Sequence, residues 1–243
     1  MSHARTVLIT GSTSDIGREG AIRFARAGWH VLAHYNSSFD KAKELRELIL
    51  KANSQCDLFQ GNLMIESDLH KLINDLKPYA IDSLVNNAGA YITSKHFSEL
   101  ELKEIMDTFI LNTFSPMLIS SKLFEGMKKR KFGRIVNISS IAAKYGGSSH
   151  SMHYGASKRA LEGLTKTLAK EGAEHNVLVN TIRPGVIDTD FHKRFPKDMM
   201  KRMNMIPMKK MGSANDIAGM IYYLGSDQNK FITNEMVTIS GGE

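Results

Sequence analysis

At 243 residues, with 42% hydrophobic and 23% charged side chains, the chain has the composition of one large globular domain, which excludes disorder, collagen and a long coiled coil. A single cysteine, Cys56, excludes an internal disulfide framework and makes the cytoplasm the expected compartment. The 32 basic and 25 acidic residues give a net charge of +7, and much of the excess is local: Lys193, Arg194, Lys197, Lys201, Arg202, Lys209 and Lys210 accompany one acid, Asp198, between Phe191 and Met211.

Read in chain order, Thr6 to Thr10 is a short apolar run that predicts a strand, followed by a glycine-bearing turn and an amphipathic helix over Ile16 to Ala27. Val31 to Tyr35 predicts the second strand and Asp40 to Asn53 the second helix, where Leu45, Leu48, Ile49 and Ala52 fall at i, i+3, i+4 and i+7 and make one apolar stripe. Asp57 to Gln60 precedes a helix over Ser67 to Lys77, and Ile81 to Val85 precedes one over Glu101 to Lys128. Arg134 to Ser139 leads to the helix Tyr154 to Glu174, and Val177 to Arg183 to the helix Asn215 to Gly225. Met236 to Ile239 is the seventh strand. Strands alternating with helices predict an α/β fold, a doubly wound parallel sheet with helices on both faces, in a single domain over residues 1–243. Ligands of such sheets bind at the carboxyl ends of the strands.

No apolar run approaches the ~20 residues of a membrane span, so neither membrane insertion nor export is expected. No zinc-ligand spacing, helix-turn-helix or RNA-binding aromatic motif accompanies the positive charge, so nucleic acid is not an expected partner. There is no G-x-S-x-G elbow for a serine hydrolase. His150 and His153 lack a third ligand, so no metal is expected and both read as rim residues of a cleft.

Two patterns carry chemistry. Thr10-Gly11-Ser12-Thr13-Ser14-Asp15-Ile16-Gly17 lies between the first strand and its helix; the glycines permit a tight turn and close helix–strand approach, and the helix amino end offers N–H groups to a pyrophosphate. A turn of this kind also serves as a plain connection. Tyr154 and Lys158 are four residues apart on a predicted helix and share one face. An ammonium roughly 4 Å from a phenol is worth about 1 to 4 kcal/mol, enough to lower the phenol pKa by roughly 1 to 3 units. The same spacing also occurs as a solvated surface pair.

Taken together, these motifs and Asn86-Asn87-Ala88-Gly89, Asn112, the run GRIVNISS from Gly133 to Ser140, Tyr154-Gly-Ala-Ser-Lys158 and Arg183-Pro184-Gly185 resemble the short-chain dehydrogenase/reductase family over nearly the whole chain, with its Rossmann fold. Asp15 departs from the glycine or alanine of the family's loop, and Ser240 from the aspartate of its Asp-Gly-Gly. The resemblance implies that Tyr154 moves the hydroxyl proton, Lys158 holds the nicotinamide ribose, Ser140 hydrogen-bonds the carbonyl oxygen and Asn112 holds a relay water. It also implies cofactor contacts from Gly11, Ser14, Asp15, Ile16, Gly17, Tyr35, Asn36, Ser37, Asn62, Leu63, Asn87, Ala88, Gly89, Tyr154, Lys158, Pro184, Gly185, Ile187 and Thr189. No acid follows the second strand, where His34-Tyr35-Asn36-Ser37-Ser38 offers neutral donors, so NADP(H) is expected over NAD(H); Ser14 and Asn36 stand where the family commonly has a basic residue.

A substrate lid is expected at about 188–212, where Met199, Met200, Met203, Met205, Met208 and Met211 supply adaptable apolar surface. With the lysines there and the cluster Lys128 to Lys131, it resembles 3-oxoacyl-carrier-protein reductases, although His175 replaces an arginine at a second docking position. Reduction of a sugar, polyol, pteridine or other small carbonyl compound is the alternative, and a non-catalytic nucleotide sensor or scaffold the alternative of another class. A homo-oligomer, most often a tetramer, is implied by resemblance.

Overall fold

The computed structural model of the chain describes residues 4–191 and 199–243. Seven strands form one sheet: β1 (Thr6–Ile9), β2 (His30–Tyr35), β3 (Cys56–Gln60), β4 (Ser83–Asn86), β5 (Gly133–Ile138), β6 (Val177–Pro184) and β7 (Met236–Ile239). Their order is β3-β2-β1-β4-β5-β6-β7 and every pairing is parallel. Among the described residues the helices are α1 (Asp15–Arg26), α2 (Phe39–Lys51), α3 (Glu66–Asp75), α4 (Leu102–Phe109), α5 (Ser115–Arg130), α6 (Ile141–Tyr145), α7 (Met152–Gly172), α8 (Met199–Met205) and α9 (Ala214–Gly225).

Successive strand residues point to opposite faces, and β1 shows the consequence. Val7 and Ile9 pack with Phe24 of α1, Leu45 and Ile49 of α2, and Ile217, Ile221 and Leu224 of α9. Leu8 packs on the other side with Leu72 of α3, Ile119 and Met127 of α5, and Ala169 of α7. Both faces of the sheet are therefore covered, as a wholly parallel sheet requires.

The predicted helix over Glu101 to Lys128 is not continuous. Ile110–Phe114 form a π turn between α4 and α5, and Ser115 N–H donates to the carbonyl of Ile110. Pro116 follows immediately; its ring nitrogen has no hydrogen to give the carbonyl of Asn112, so the regular ladder cannot run through this point. Asn112 sits in the π turn and is fully buried.

The chain leaves β1 toward β2 and β3 and later returns to the other side of β1 as β4, so the connections after β1 and β4 diverge and open a crevice. Asn87 bridges its floor. Its Nδ2 donates to the carbonyls of Thr10 and Gly11 at 2.9 Å and to Ser14 Oγ at 3.1 Å, while Thr10 Oγ1 accepts from the N–H groups of Asn87 and Ala88.

Candidate active site

Gly11 has φ +63°, and a Cβ there would lie 2.9 Å from Ala88 Cα; one on Gly17 would lie 2.5 Å from the Gly11 carbonyl oxygen. Both glycines are thus required by the fit of the loop against the β4 connection. Ser14 caps α1, its Oγ accepting from Gly17 N–H. Asp15 uses Oδ2 to accept from the N–H of Asp190 at 2.8 Å. The departure at Asp15 therefore ties the glycine turn to the segment after β6.

A residue that the motif reading passes over fixes the same turn. His34, buried at the end of β2, accepts from Gly11 N–H through Nδ1 at 3.2 Å and donates through Nε2 to the Gly61 carbonyl at 3.0 Å. A protonated ring could not accept from Gly11, and burial lowers the imidazole pKa to about 4, partly opposed by the bond to Gly61. Between about 6.5 and about 4 the unfolded chain therefore binds a proton that the folded one refuses, so stability falls as pH falls through this window, by about 3 kcal/mol in all. Urea titrations at pH 7 and 4.5 should show this slope reduced in His34→Asn; an equal slope in both proteins would refute the assignment.

At the carboxyl ends of β2 and β3 a cavity of about 420 Å³ is lined by Asn36, Gly61 and Asn62 among others. Asn36 and Ser37 are exposed and Asn62 is half-buried. Tyr35, Leu63 and Ile187 are buried, so their side chains belong to the packing beneath the crevice. Ala88 and Gly89 follow β4, Pro184 ends β6, and Gly185 and Thr189 lie beyond it.

Ser139 and Ser140 follow β5 and do different work. Ser139 Oγ is buried and donates to the Lys158 carbonyl and, at 2.9 Å, to Glu162 Oε1. Ser140 caps α6, accepting from Ala142 N–H at 3.1 Å, and its hydroxyl faces the phenol oxygen of Tyr154, a contact that favours the phenolate. Lys158 Nζ is buried, donates to the Ile138 carbonyl at 2.8 Å and lies 6.0 Å from the centre of the Tyr154 ring. Asn112 Nδ2 donates to the Ala90 carbonyl and to Ser157 Oγ, and its Oδ1 accepts from Ala90 N–H. A Cβ on Gly89 would fall 2.7 Å from Lys158 Nζ and 2.9 Å from Asn112 Oδ1. The structure thus brings Asn112, Ser140, Tyr154 and Lys158 together.

The sequence-based electrostatics need correction. Burial raises the Tyr154 phenol to about 12, with the Ser140 contact opposing it, and burial lowers the Lys158 ammonium to about 8. Desolvation disfavours the charged form of each group, and here it outweighs the mutual effect expected from their spacing. At neutral pH the Tyr154 hydroxyl therefore keeps its proton and is a hydrogen-bond donor.

Rings surround this donor. Tyr91 lies edge-on to Tyr154 at 5.9 Å and Phe191 lies 6.0 Å away; Tyr91 also donates from its hydroxyl to the His150 carbonyl. His150 is exposed as expected of a rim residue, but His153 is buried and stacks on Tyr91 at 5.7 Å. The expected rim position of His153 is incorrect because its helical turn carries it beneath the Tyr91 ring. Asp188 N–H donates to the Gly212 carbonyl and Gly212 N–H to that of Val186, so the residues expected to bound a lid are joined at their bases. Lys193, Arg194 and Lys197 lie outside the described residues. The basic cluster after Lys128 is divided, since Arg130 turns back to the Ile81 carbonyl and to Asp82, whereas Lys129 and Lys131 are exposed.

Residues 5–200 match the model of the short chain dehydrogenase family. The chain is 34% identical to the 3-oxoacyl-[acyl-carrier-protein] reductase of Aquifex aeolicus over 239 residues, covering 97% of this chain and 95% of that protein. A 3-oxoacyl (acyl-carrier-protein) reductase structure from Agrobacterium tumefaciens C58 with NADP bound superposes with a TM-score of 0.90 at 28% identity, covering 98% of this chain and 94% of that one. A Beutenbergia cavernae structure, assigned as an NAD(P)-dependent gluconate 5-dehydrogenase and holding NADP at low occupancy, gives 0.92 at 29% identity, covering 99% and 97%.

Proposed function

The chain belongs to the short-chain dehydrogenase family and is an oxidoreductase, and from that premise we propose that it uses NADP(H), in preference to NAD(H), to reduce a 3-oxoacyl thioester carried on an acyl carrier protein. The carrying observation is that the Tyr154 hydroxyl faces Ser140 while the Tyr154 ring is flanked by those of Tyr91 and Phe191. A carbonyl oxygen entering there meets two hydroxyl donors, and the rest of the substrate meets aromatic surface, which suits an acyl chain better than a polyol.

The crevice fits a dinucleotide through its donor set: the capped amino end of α1, the exposed amide and hydroxyl of Asn36 and Ser37, and the Lys158 ammonium, against which only a residue without a side chain fits at Gly89. The nicotinamide, when bound, supplies the hydride. Tyr154 gives its proton to the carbonyl oxygen, Ser140 steadies that oxygen as charge develops, and Lys158 restores charge balance beside the phenol while holding the ribose. Asn112, fixed in the π turn, holds Ala90 and Ser157, the residue before Lys158, in register, beside the path by which a water would return the proton. The absence of an acid among residues 34–38 removes the repulsion that a 2′-phosphate meets in NAD(H)-selective sites.

On the substrate side, Met200, Met205 and Met208 are exposed on and after α8, where they offer apolar surface to an acyl chain. Lys129 and Lys131 supply positive charge toward an acidic carrier. Leu102, Met106, Phe114 and Met117 leave apolar surface exposed along α4, the π turn and α5, and we assign this side to a homo-oligomer, a tetramer, whose stoichiometry sedimentation equilibrium reads directly. A cytoplasmic location accompanies this reading; no described helix is long and apolar enough to cross a membrane.

The substrate reading predicts that, with NADPH, acetoacetyl-carrier protein is turned over with a kcat/KM that falls steeply with added salt, because docking is electrostatic. Efficient, salt-insensitive turnover of small ketones or sugars with no carrier-linked activity would overturn it.

A further inference from the structure

The two positions at which a basic side chain commonly meets the cofactor hold Ser14 and Asn36, so a 2′-phosphate would find hydroxyl and amide donors there but no charge. The structure supplies a cation from elsewhere. Lys41, in the first turn of α2, extends to Asp190 with Nζ 3.4 Å from Oδ2, while the N–H of Asp190 is held by Asp15 at the amino end of α1. Lys41, about one helical turn beyond Asn36 and Ser37 in the chain, therefore reaches from the helix after β2 to the same point that the glycine turn touches.

Two carboxylates, Asp15 and Asp190, meet at this junction, and Lys41 pairs with the second. A phosphate monoester arriving beside them is repelled by both carboxylates, and Lys41 offsets that repulsion by turning to it. The exchange is inexpensive: both partners of the Lys41–Asp190 pair are more than half exposed, and exposed ion pairs are weak. A lysine is also suited to the move, being a point charge on a flexible four-carbon stem.

We propose that Lys41 is the specificity-determining cation of this protein: its ammonium lets go of Asp190 and pairs with the 2′-phosphate of NADP(H). The proposal rests on the NADP(H) preference argued above. It also couples cofactor choice to the segment after β6, since the pairing that Lys41 gives up is with that segment.

Fluorescence titration with NADPH and NADH tests it in the full-length protein, in the unmodified form and as Lys41→Ala, Lys41→Arg and Asp190→Asn. The expected result is a roughly tenfold weaker NADPH affinity in Lys41→Ala, with NADH little changed, recovery in Lys41→Arg, and NADPH affinity retained or improved in Asp190→Asn. The salt dependence of NADPH binding should shrink in Lys41→Ala. A preference for NADPH that survives Lys41→Ala unchanged, or equal weakening of both cofactors, overturns the role of Lys41 alone. NADH bound as tightly as NADPH by the unmodified protein overturns the cofactor reading beneath it as well.

Discussion

Tyr154→Phe should lower kcat for carbonyl reduction by roughly a hundred- to ten-thousand-fold, the range spanned by positioned general acids, while the protein remains folded and still binds NADPH. The substitution keeps the ring that packs on Tyr91 and Phe191 and removes only the hydroxyl facing Ser140. The pH profile is a second signature. The phenol stays protonated to about 12, so its own titration does not limit reduction near neutrality. The Lys158 ammonium is lost above about 8, so the rate of reduction should hold through neutral pH and decline as that charge disappears. Steady-state turnover and a pH series with NADPH check both points; full activity in Tyr154→Phe would remove the proposed proton donor.

Helical periodicity put Tyr154 and Lys158 on one face, but that spacing also suits a solvated pair, and it took the serine, the asparagine and the glycine turn earlier in the chain to single them out. β7 was read with its true limits, and the other strands to within two residues at either end, because a buried parallel strand is an apolar run whose ends the turns define. The break at Ile110–Phe114 was hidden: the apolar stripe continues through it, and only Pro116 marked the point where the ladder fails. Short α6 and α8 carry too few residues for a periodic signal. Nor does spacing contain burial, which is why the Tyr154–Lys158 electrostatics came out with the opposite sign for the phenol. His34 and Asp190 escaped notice for a related reason, since their partners, backbone groups of Gly11 and Gly61 for the one and the side chains of Asp15 and Lys41 for the other, lie far away in the chain.

Glu162→Gln should cost about 3 to 5 kcal/mol of stability, the usual result of leaving a buried charge without its partner. On α7, Glu162 is buried behind the catalytic wall and accepts from Arg183 through both oxygens, at 2.6 and 2.7 Å, and from Ser139 at 2.9 Å. Burial pushes its carboxyl upward, but the hydrogen bonds from Arg183 and Ser139 and the charges of Arg183 and Arg159 hold it below the ordinary value. Arg183 is itself mostly buried, so the amide variant strands a guanidinium at the end of β6. That strand ends at Pro184 and leads directly into Gly185 beside the crevice, and Ser139 adjoins Ser140, so the loss should also raise the KM for cofactor. The double variant Glu162→Leu/Arg183→Met separates charge from packing: apolar residues filling the same space should recover most of the lost stability. Denaturant midpoints of the two variants decide the matter, and a cost below about 1 kcal/mol for the single substitution, the scale of an exposed pair, would show that water reaches this site and that the pair does not brace the wall.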